Sequence, residues 1–218
     1  MMIGFKEFCR RKGRCNLIAV IDYGMGNLRS VTKALEKLGY SAQVVDRPEQ
    51  LQKAAGVVLP GVGAFGDAMQ HLQERKFIEA IYEYVDTGRP FLGICLGMQL
   101  LFDSSEEMGN YRGLGLIAGD VVRFRGNFKV PQMGWNRLHV HQANHHVFQE
   151  VPGDGYVYFV HSYHVKVKDS EHVLATTDYF GEVTAIVGRE NVIGMQFHPE
   201  KSSQTGLQLL ENFAQQCN

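Results

Sequence analysis

The sequence predicts an α/β fold with a central, mostly parallel sheet that antiparallel strands extend. Up to about residue 110, short apolar runs alternate with helical stretches, which is the β-α-β rhythm of parallel sheets. Beyond that point the pattern changes to aromatic and β-branched segments, which are typical of strands in hairpins. A length of 218 residues with 44% hydrophobic composition is typical of a soluble globular protein and suffices for one domain with an ample core.

The first half opens with an apolar strand at 17–21 and an amphipathic helix. Asn27 stands where it can cap the helix, and Gly39 stands where it can end it. Between them apolar residues recur at helical spacing: Leu28, Val31, Ala34, Leu35 and Leu38. The alternation continues with strands at 42–45 and 55–59, a helix at 77–85 that Gly88 closes, a strand that leads to Cys95, and a buried helix that opens after it.

The second half is predicted to consist mainly of strands, with one helix at the end. The strands are expected at 121–124, 156–160, 173–177, 183–187 and 191–197, and the helix at 205–215. In open α/β sheets, sites lie at the carboxyl ends of parallel strands. Functional residues are therefore expected where the apolar strands of the parallel part end.

Gly93-Ile94-Cys95-Leu96-Gly97 is typical of a nucleophile elbow, a sharp strand-to-helix turn that exposes a reactive side chain. Glycine is needed two residues before and two residues after the nucleophile, because a Cβ there would collide with the neighbouring strand or helix. A helix N-terminus below the sulfur favours the thiolate. The alternative for this motif alone is a small cysteine packed in a core strand.

His198-Pro199-Glu200 follows an apolar strand and offers a base together with an orienting carboxylate. On an extended backbone, side chains two residues apart point the same way, so Glu200 is expected to hold the His198 ring in one tautomer. The alternative is an ordinary turn at a strand end. An elbow cysteine elsewhere in the chain favours the catalytic interpretation, because a thiol nucleophile needs a base.

A glycine-rich loop follows the strand that ends near Leu59. Acyl transfer needs two donors for the developing oxyanion, and the candidates are the N–H of Leu96 and an N–H of the Gly61-Val62 peptide. From Gly61 to Gly66 the loop also matches the dinucleotide-binding pattern, with Asp86 as its acid. That alternative is disfavoured because the loop follows a later strand and Asp86 lies within a helical stretch.

Seven segments together resemble the class I (triad) glutamine amidotransferases, and more narrowly the glutaminase subunits of imidazole glycerol phosphate synthases. The segments are D-Y-G-M-G-N-L at 22–28, L-P-G-V-G-A-F at 59–65, L-G-I-C-L-G-M-Q-L-L-F at 92–102, K-V-P at 129–131, M-G-W-N at 133–136, V-H-S-Y at 160–163 and F-H-P-E-K-S at 197–202. They cover the chain from about residue 17 to its end. The resemblance implies a flavodoxin-like, three-layer amidotransferase domain over 17–218.

The resemblance also implies glutamine hydrolysis without a cofactor. Cys95 would attack the side-chain amide of L-glutamine, His198 would transfer protons, and Glu200 would orient His198. Leu96, Gly61 and Val62 would form the oxyanion hole. The substrate would be bound by residues of three segments: Gly63, Gln99, Ser162 and Tyr163.

The resemblance further implies that ammonia passes to a separate (β/α)₈-barrel cyclase, which forms a heterodimer with this chain in histidine biosynthesis. Candidate interface residues are Asn27, Trp135 and Lys201. Each also has a simpler interpretation, respectively a helix N-cap, a core aromatic residue and a solvated lysine. Alternative functions are a related amidotransferase that serves a sugar-amidation enzyme, and a cysteine peptidase or silent binding module on the same fold.

The chain departs from the family pattern at three places. Residues 1–16 form an N-terminal extension, which is either an upstream start or a basic arm that contacts the partner. Gln132 stands where the family often has His, and His164 stands where it often has Tyr. The last two departures leave the predicted triad intact and concern the contacts with the partner.

Composition excludes several other classes of protein. With 22 basic and 23 acidic residues the formal net charge is −1, so nucleic-acid binding is not expected. No segment reaches membrane-spanning length, and the basic start lacks the apolar run of a signal peptide. Four cysteines without paired spacing favour a reducing compartment, so a cytoplasmic location is predicted.

A cluster of histidines invites a metal-site interpretation. It comprises His139, His141, His145 and His146, with spacings that metals accept. There is no cysteine nearby, and the flanking residues mix strand and loop character. A solvated β-hairpin with surface histidines is the simpler expectation, and no metal site is predicted.

Overall fold

The structure, a computed structural model, describes residues 16–153 and 155–217 of the chain. Its strands are β1 Leu17–Ile21, β2 Ser41–Val45, β3 Gly56–Gly61, β4 Phe91–Cys95, β5 Ser104–Ser105, β6 Tyr111–Arg112, β7 Gly119–Arg123, β8 Gln132–Arg137, β9 His139–Val140, β10 Tyr156–His161, β11 Tyr163–Val167, β12 Val173–Asp178, β13 Glu182–Arg189 and β14 Val192–Met195. Its helices are α1 Leu28–Lys37, α2 Phe65–Glu74, α3 Phe77–Val85, α4 Leu96–Gln99 and α5 Ser203–Gln215. The predicted extension lies, apart from Asn16, outside the described residues.

An eight-stranded sheet runs through the centre, in the order β2-β1-β3-β4-β14-β13-β12-β9. The neighbours from β2 to β14 pair in parallel, and those from β14 to β9 pair antiparallel. The prediction of a parallel sheet with an antiparallel extension is therefore confirmed. The carboxyl ends of β3 and β4 lie side by side, because Gly61 pairs with Cys95.

Helices cover both faces of the sheet, so the helices and the sheet together form the three predicted layers. One apolar core contains residues of α1 and α5, and the other contains residues of α2 and α3. Within β1, Ile18 and Val20 belong to the first core, whereas Ala19 and Ile21 belong to the second. This division follows from the two-residue alternation of a strand. The strand is apolar throughout because both of its faces are buried.

Two smaller sheets lie outside the central one. β8 pairs with β10, and a four-stranded sheet has the order β11-β7-β5-β6. The strands predicted at 121–124 and 156–160 exist, but the expectation that they form hairpins is wrong, since β7 pairs with β11 and β10 pairs with β8. Among the predicted strands, the consecutive pairs β12–β13 and β13–β14 form hairpins within the described residues.

Two helices differ from the prediction. Helix α2 was not expected, because its glycine and polar residues hide the apolar positions Ala68 and Leu72. The helix after Cys95 is a single turn that ends at Gln99. The carbonyl of Leu100 accepts from the N–H of Leu114, and the carbonyl of Leu101 accepts from that of Leu116. These contacts with a distant segment replace the hydrogen bonds of a longer helix.

The two ends of α1 show one correct and one incorrect prediction. Gly39 has φ +91° just after the helix, as expected of a glycine that ends it. Asn27 occupies the N-cap position, but its side chain makes no capping hydrogen bond. None of the described helices has the length and apolar character that a bilayer span requires.

Candidate active site

Cys95 lies at the junction of β4 and α4 in a strained backbone conformation. Its φ of 54° and ψ of −112° are unusual for a residue with a side chain. A Cβ at Gly97 would lie 1.9 Å from the carbonyl oxygen of Leu59, and one at Gly93 would lie 2.6 Å from the carbonyl oxygen of Gly97. The predicted crowding around the elbow is therefore confirmed.

His198 and Glu200 form a buried pair. Nδ1 of His198 lies 3.0 Å from Oε1 of Glu200, and the two side chains are only 4% and 1% exposed. The reason differs from the one predicted, because β14 ends at Met195 and Pro199 begins a 3-10 turn over Pro199–Lys201. The turn, and not strand alternation, brings the carboxylate back to the ring.

Ser202 anchors this turn and was not singled out from the sequence. Its hydroxyl donates to the carbonyl of His198 at 2.7 Å and accepts from the backbone N–H of Tyr158 at 2.9 Å. The backbone N–H of His198 donates in turn to the carbonyl of Tyr158 at 3.2 Å. The backbone of His198 is thereby tied to β10, which leaves its ring free for the Cys95 thiol.

Cys95 and His198 line one cavity of about 410 Å³. Burial alone lowers the pKa of His198, but its hydrogen-bonding interactions with Cys95 and Glu200, and their negative charges, raise it to about 9. A carboxylate on Nδ1 leaves Nε2 as the ring atom available to the thiol. The arrangement holds a proton on the imidazole beside a nucleophilic sulfur, as thiol-based acyl transfer requires.

The predicted oxyanion-hole residues differ in their exposure. Leu96 and Val62 line the cavity, and Val62 is 42% exposed. Gly63, which was predicted to bind the substrate, lines the cavity beside them. Gly61 is buried behind them, and a Cβ there would lie 2.7 Å from the hydroxyl oxygen of Tyr23. Gly63 has φ +99°, a conformation that favours glycine. The loop therefore borders the elbow as expected, and its donor role stays a prediction.

The predicted substrate-binding residues Gln99, Ser162 and Tyr163 also line this cavity. The Nε2 group of Gln99 donates to the carbonyl of Tyr163 and to Oε1 of Gln196, each at 3.0 Å. The carbonyl of Ser162 accepts from the N–H of Phe124 at 3.1 Å. Both donors of Gln99 are thus used within the protein, and only its carbonyl oxygen remains for a ligand.

The three predicted interface residues occupy different surroundings. Trp135 is 51% exposed and packs edge-on against Tyr158, with ring centroids 5.9 Å apart. The simpler interpretation of Trp135 as a core residue is therefore wrong. Lys201 is exposed at the border of the active-site cavity, and Asn27 is half-buried in the loop that follows β1.

Two further residues of the cavity escaped sequence analysis as functional candidates. Glu107 lines the cavity and accepts from the N–H of Phe65 at 2.7 Å. Burial raises the pKa of this carboxyl group, although that hydrogen bond opposes the change. His161 lines the cavity as well, with its Nδ1 2.7 Å from the carbonyl oxygen of Tyr163. In the sequence, only the V-H-S-Y segment pointed to His161 as a functional residue, and no motif pointed to Glu107.

Comparison with known proteins agrees with this geometry. Residues 19–217 match the family model described as "Glutamine amidotransferase class-I". The chain belongs to this family. It is therefore an enzyme that hydrolyses glutamine, with the mixed α/β fold of the class I amidotransferases.

Several curated relatives carry the name imidazole glycerol phosphate synthase subunit HisH. The protein of Desulfitobacterium hafniense (strain DSM 10664 / DCB-2) is 52% identical over 202 residues, which cover 93% of this chain and 95% of the relative. That of Sulfurimonas denitrificans is 48% identical over 207 residues, covering 93% and 99%. The similarity therefore extends over nearly the whole length of both chains.

Solved structures show the same fold at lower identity. The structure of PurLQS from Thermotoga maritima has a TM-score of 0.73 and 21% identity, covering 91% of this chain and 97% of the other. A glutamine amidotransferase from Thermotoga maritima has a TM-score of 0.59 and 20% identity, covering 90% of this chain and 81% of the other. The amidotransferase architecture thus persists where most of the sequence differs.

The histidine cluster and Gly66 of the glycine-rich loop lie outside the residues that line the cavity. His139 belongs to β9, which pairs with β12, and the segment continues into a 3-10 turn over His146–Phe148, so the expectation of a β-hairpin is wrong. The described residues contain no group of three or more metal-ligating side chains arranged around one point. At Gly66 a Cβ would lie within 3 Å of the Tyr111 ring, so this glycine serves packing.

Proposed function

We propose that this chain is the glutaminase subunit of an imidazole glycerol phosphate synthase and supplies ammonia to a cyclase subunit in histidine biosynthesis. The observation that carries the proposal is the contact of His198 with both Cys95 and Glu200 at the cavity wall. The names of the relatives support the choice of synthase. A thiol nucleophile suits a reducing compartment, and we propose a cytoplasmic location.

The first half-reaction forms a thioester. The Cys95 sulfur attacks the side-chain amide carbon of glutamine, and the carbonyl π electrons move to oxygen. The N–H groups of Leu96 and of the Gly61-Val62 peptide stabilise the oxyanion, each contributing about 10²–10³ in rate. His198 gives its proton to the departing nitrogen, the C–N bond breaks, and ammonia leaves a γ-glutamyl thioester on Cys95.

The second half-reaction releases glutamate. Neutral His198 takes a proton from a water molecule, whose oxygen attacks the thioester carbon. The C–S bond breaks, the sulfur leaves as thiolate, and the same two N–H groups stabilise the second oxyanion. Glu200 keeps the ring of His198 in one tautomer throughout, because it lies 3.0 Å from Nδ1. The enzyme thereby returns to its starting protonation state.

Recognition of the amino-acid end of glutamine uses polar groups of the cavity wall. The Oε1 atom of Gln99 and the carbonyl of Ser162 are acceptors suited to the α-amino group. The carboxylate of Glu107 adds a negative charge on the same wall. Gly63, which has no side chain to intrude, leaves room for the substrate beside the elbow.

The ammonia acceptor is a separate cyclase subunit with a (β/α)₈ barrel, which forms a heterodimer with this chain. The β8 strand presents its exposed side chains Met133 and Trp135 to solvent, 58% and 51% accessible, and these are the apolar groups that an interface buries first. Lys201 adds a charge next to the cavity, and Asn27 adds a polar contact from the loop after β1.

A variant of the nucleophile tests the proposal. In the complex with the cyclase, Cys95→Ala is expected to lower glutamine-dependent synthesis by at least about 10³-fold, because the thioester cannot form. Synthesis from added ammonium salt is expected to continue at the wild-type rate. The measurement is steady-state product formation with each nitrogen source.

Cys217→Ala is the matched control, since Cys217 is also a buried free thiol but packs against Gly56, away from the cavity. It is expected to retain synthesis from glutamine. Loss of the ammonium-dependent reaction in Cys95→Ala would contradict the proposed division of labour.

A further inference from the structure

Two buried hydrogen-bond acceptors lie on directly opposite residues of the β8–β10 pair. His161 is paired with Gln132, and the residues are 7% and 0% exposed. The Nε2 atom of His161 and the Oε1 atom of Gln132 have no hydrogen-bond partner among the described residues. A buried acceptor without a donor is destabilising, so two of them on opposite residues call for a donor.

The orientation of the Gln132 amide follows from its neighbours. The Nδ2 group of Asn136 donates to the carbonyl of Asp178 at 3.0 Å, so Oδ1 of Asn136 faces the other way. This oxygen accepts from Nε2 of Gln132 at 3.1 Å. A backbone carbonyl can only accept, so the carbonyl of Asp178 fixes the orientation of both side-chain amides. The Oε1 atom of Gln132 is therefore the end left without a partner.

The tautomer of His161 is determined in the same way. Its Nδ1 lies 2.7 Å from the carbonyl oxygen of Tyr163, so Nδ1 carries the proton and Nε2 is an acceptor. Burial lowers the pKa of this histidine to about 4, which keeps the ring neutral near pH 7. The rings of Phe124 and Phe159 lie 5.2 and 5.6 Å from it and hold it in place.

One of these two acceptors borders the cavity of the nucleophile. His161 lines this cavity together with Cys95 and His198. Gln132 lies directly opposite His161 and follows Pro131, which lines the same cavity. The buried pair therefore adjoins the wall of the cavity in which the proposed reaction releases ammonia.

We infer that Gln132 and His161 form a binding site for the ammonia released at Cys95. Opposite residues on antiparallel strands have Cβ atoms roughly 5 Å apart, so one small molecule can contact both side chains. Ammonia carries three N–H donors, whereas the pair offers two acceptors and no donor. Because neither side chain is charged, the site favours neutral ammonia over the ammonium ion, whose burial requires a compensating charge.

This inference rests on the proposed function, and a nitrogen-competition experiment tests it. The complex with the cyclase is supplied with glutamine labelled with ¹⁵N at the amide and with an excess of unlabelled ammonium chloride. The ratio of ¹⁵N to ¹⁴N in the product reports how much nitrogen travels directly from Cys95. Glutamate release is measured in the same reaction, because slower glutamine hydrolysis would by itself lower this ratio. The ratio divided by the rate of glutamate release is the quantity compared between variants.

Variants that remove one acceptor are expected to lower the ratio. Gln132→Met nearly preserves shape but lacks Oε1, and the ratio is expected to fall roughly fivefold, the factor that one neutral hydrogen bond supplies. Gln132→His keeps an acceptor and is expected to restore most of the ratio. His161→Asn, which keeps a donor near Nδ1 but lacks Nε2, is the second test should Gln132→Met fold poorly. Arg47→Gln is the control, at an exposed position just after β2 and outside the proposed interface.

The outcomes separate this site from the proposed function. A wild-type complex that places no glutamine nitrogen in the product overturns the proposed function and this site with it. A working wild type, together with folded Gln132→Met and His161→Asn variants that keep the wild-type ratio, overturns the site alone. In that case the acceptors bind only water.

Discussion

At the scale of single residues, the protonation of His198 governs the proposed chemistry. Burial favours the neutral ring, but Cys95 and Glu200 together outweigh burial and raise the pKa to about 9. The ring therefore keeps its proton through neutral pH and can deliver it to the departing nitrogen. Because the folded-state pKa lies above the unfolded value of about 6.5, the associated stability is fully present below pH 6.5 and is lost as the pH rises through about 9.

The Glu200→Gln variant is expected to shift the alkaline limb of kcat/KM for glutamine to lower pH by about one unit. The carboxylate stabilises the imidazolium, so a neutral amide in its place lowers the pKa of His198. The measurement is a pH profile of kcat/KM for the complex between about pH 6 and 10.

Glu182→Gln is the control, because Glu182 lies 3.3 Å from His141 in an exposed pair outside the active-site cavity. Its alkaline limb is expected to match the wild type. An unchanged limb in Glu200→Gln would contradict the stated origin of the raised pKa.

At the scale of elements, the elbow depends on close approach of β3, β4 and α4. The one-turn helix lies so near β3 that position 97 has no room for a side chain. The strain of Cys95 is held by these contacts, since both flanking segments are buried. Ser202 plays a similar part for His198, whose backbone it ties to β10.

Gly97→Ala is expected to destabilise the fold by about 3 kcal/mol or more, because the new methyl group would meet the backbone oxygen of Leu59 at 1.9 Å. The backbone of Leu59 cannot move away from the new methyl group as a flexible side chain could. Chemical denaturation of the two proteins measures the difference.

Gly153→Ala provides the comparison, since a Cβ at Gly153 would have no atom of another described residue within 4 Å. Its free energy of unfolding is expected to stay within about 0.5 kcal/mol of the wild type. Equal stability of the two variants would show that the elbow is not tightly packed.

At the scale of the whole molecule, one active site draws on residues from both halves of the chain. Cys95 comes from the parallel part of the sheet, and His198 follows β14, which pairs directly with β4. The β8–β10 pair supplies His161 to the cavity and Trp135 to the surface. The proposed contact of the cyclase with β8 therefore lies only a few residues from His161 and the cavity.

Trp135→Ala is expected to raise, by about tenfold or more, the cyclase concentration that gives half-maximal synthesis from glutamine. Loss of a large exposed aromatic residue at an interface removes a typical anchor. The measurement is a titration of glutamine-dependent product formation with the cyclase subunit.

Val44→Ala is the matched control, because Val44 is also an exposed apolar residue, with 38% of its surface accessible. It lies on β2, which forms one edge of the central sheet, whereas β9 forms the other edge. Its titration curve is expected to overlay that of the wild type. Equal curves for Val44→Ala and Trp135→Ala would remove β8 from the interface.

Local patterns alone sufficed for the elbow, the parallel half of the sheet and the pairing of His198 with Glu200, although a turn and not the predicted strand alternation brings Glu200 to the ring. Glycine spacing and strand periodicity act over a few residues, so the sequence reveals them directly. The pairing of β7 with β11 and of β8 with β10 could not be predicted in this way, because these strands are distant in the chain and their pairing depends on burial. The pairing of Gln132 with His161, the anchoring of His198 by Ser202 and the early end of α4 arose only in three dimensions, where distant segments compete for the same hydrogen bonds.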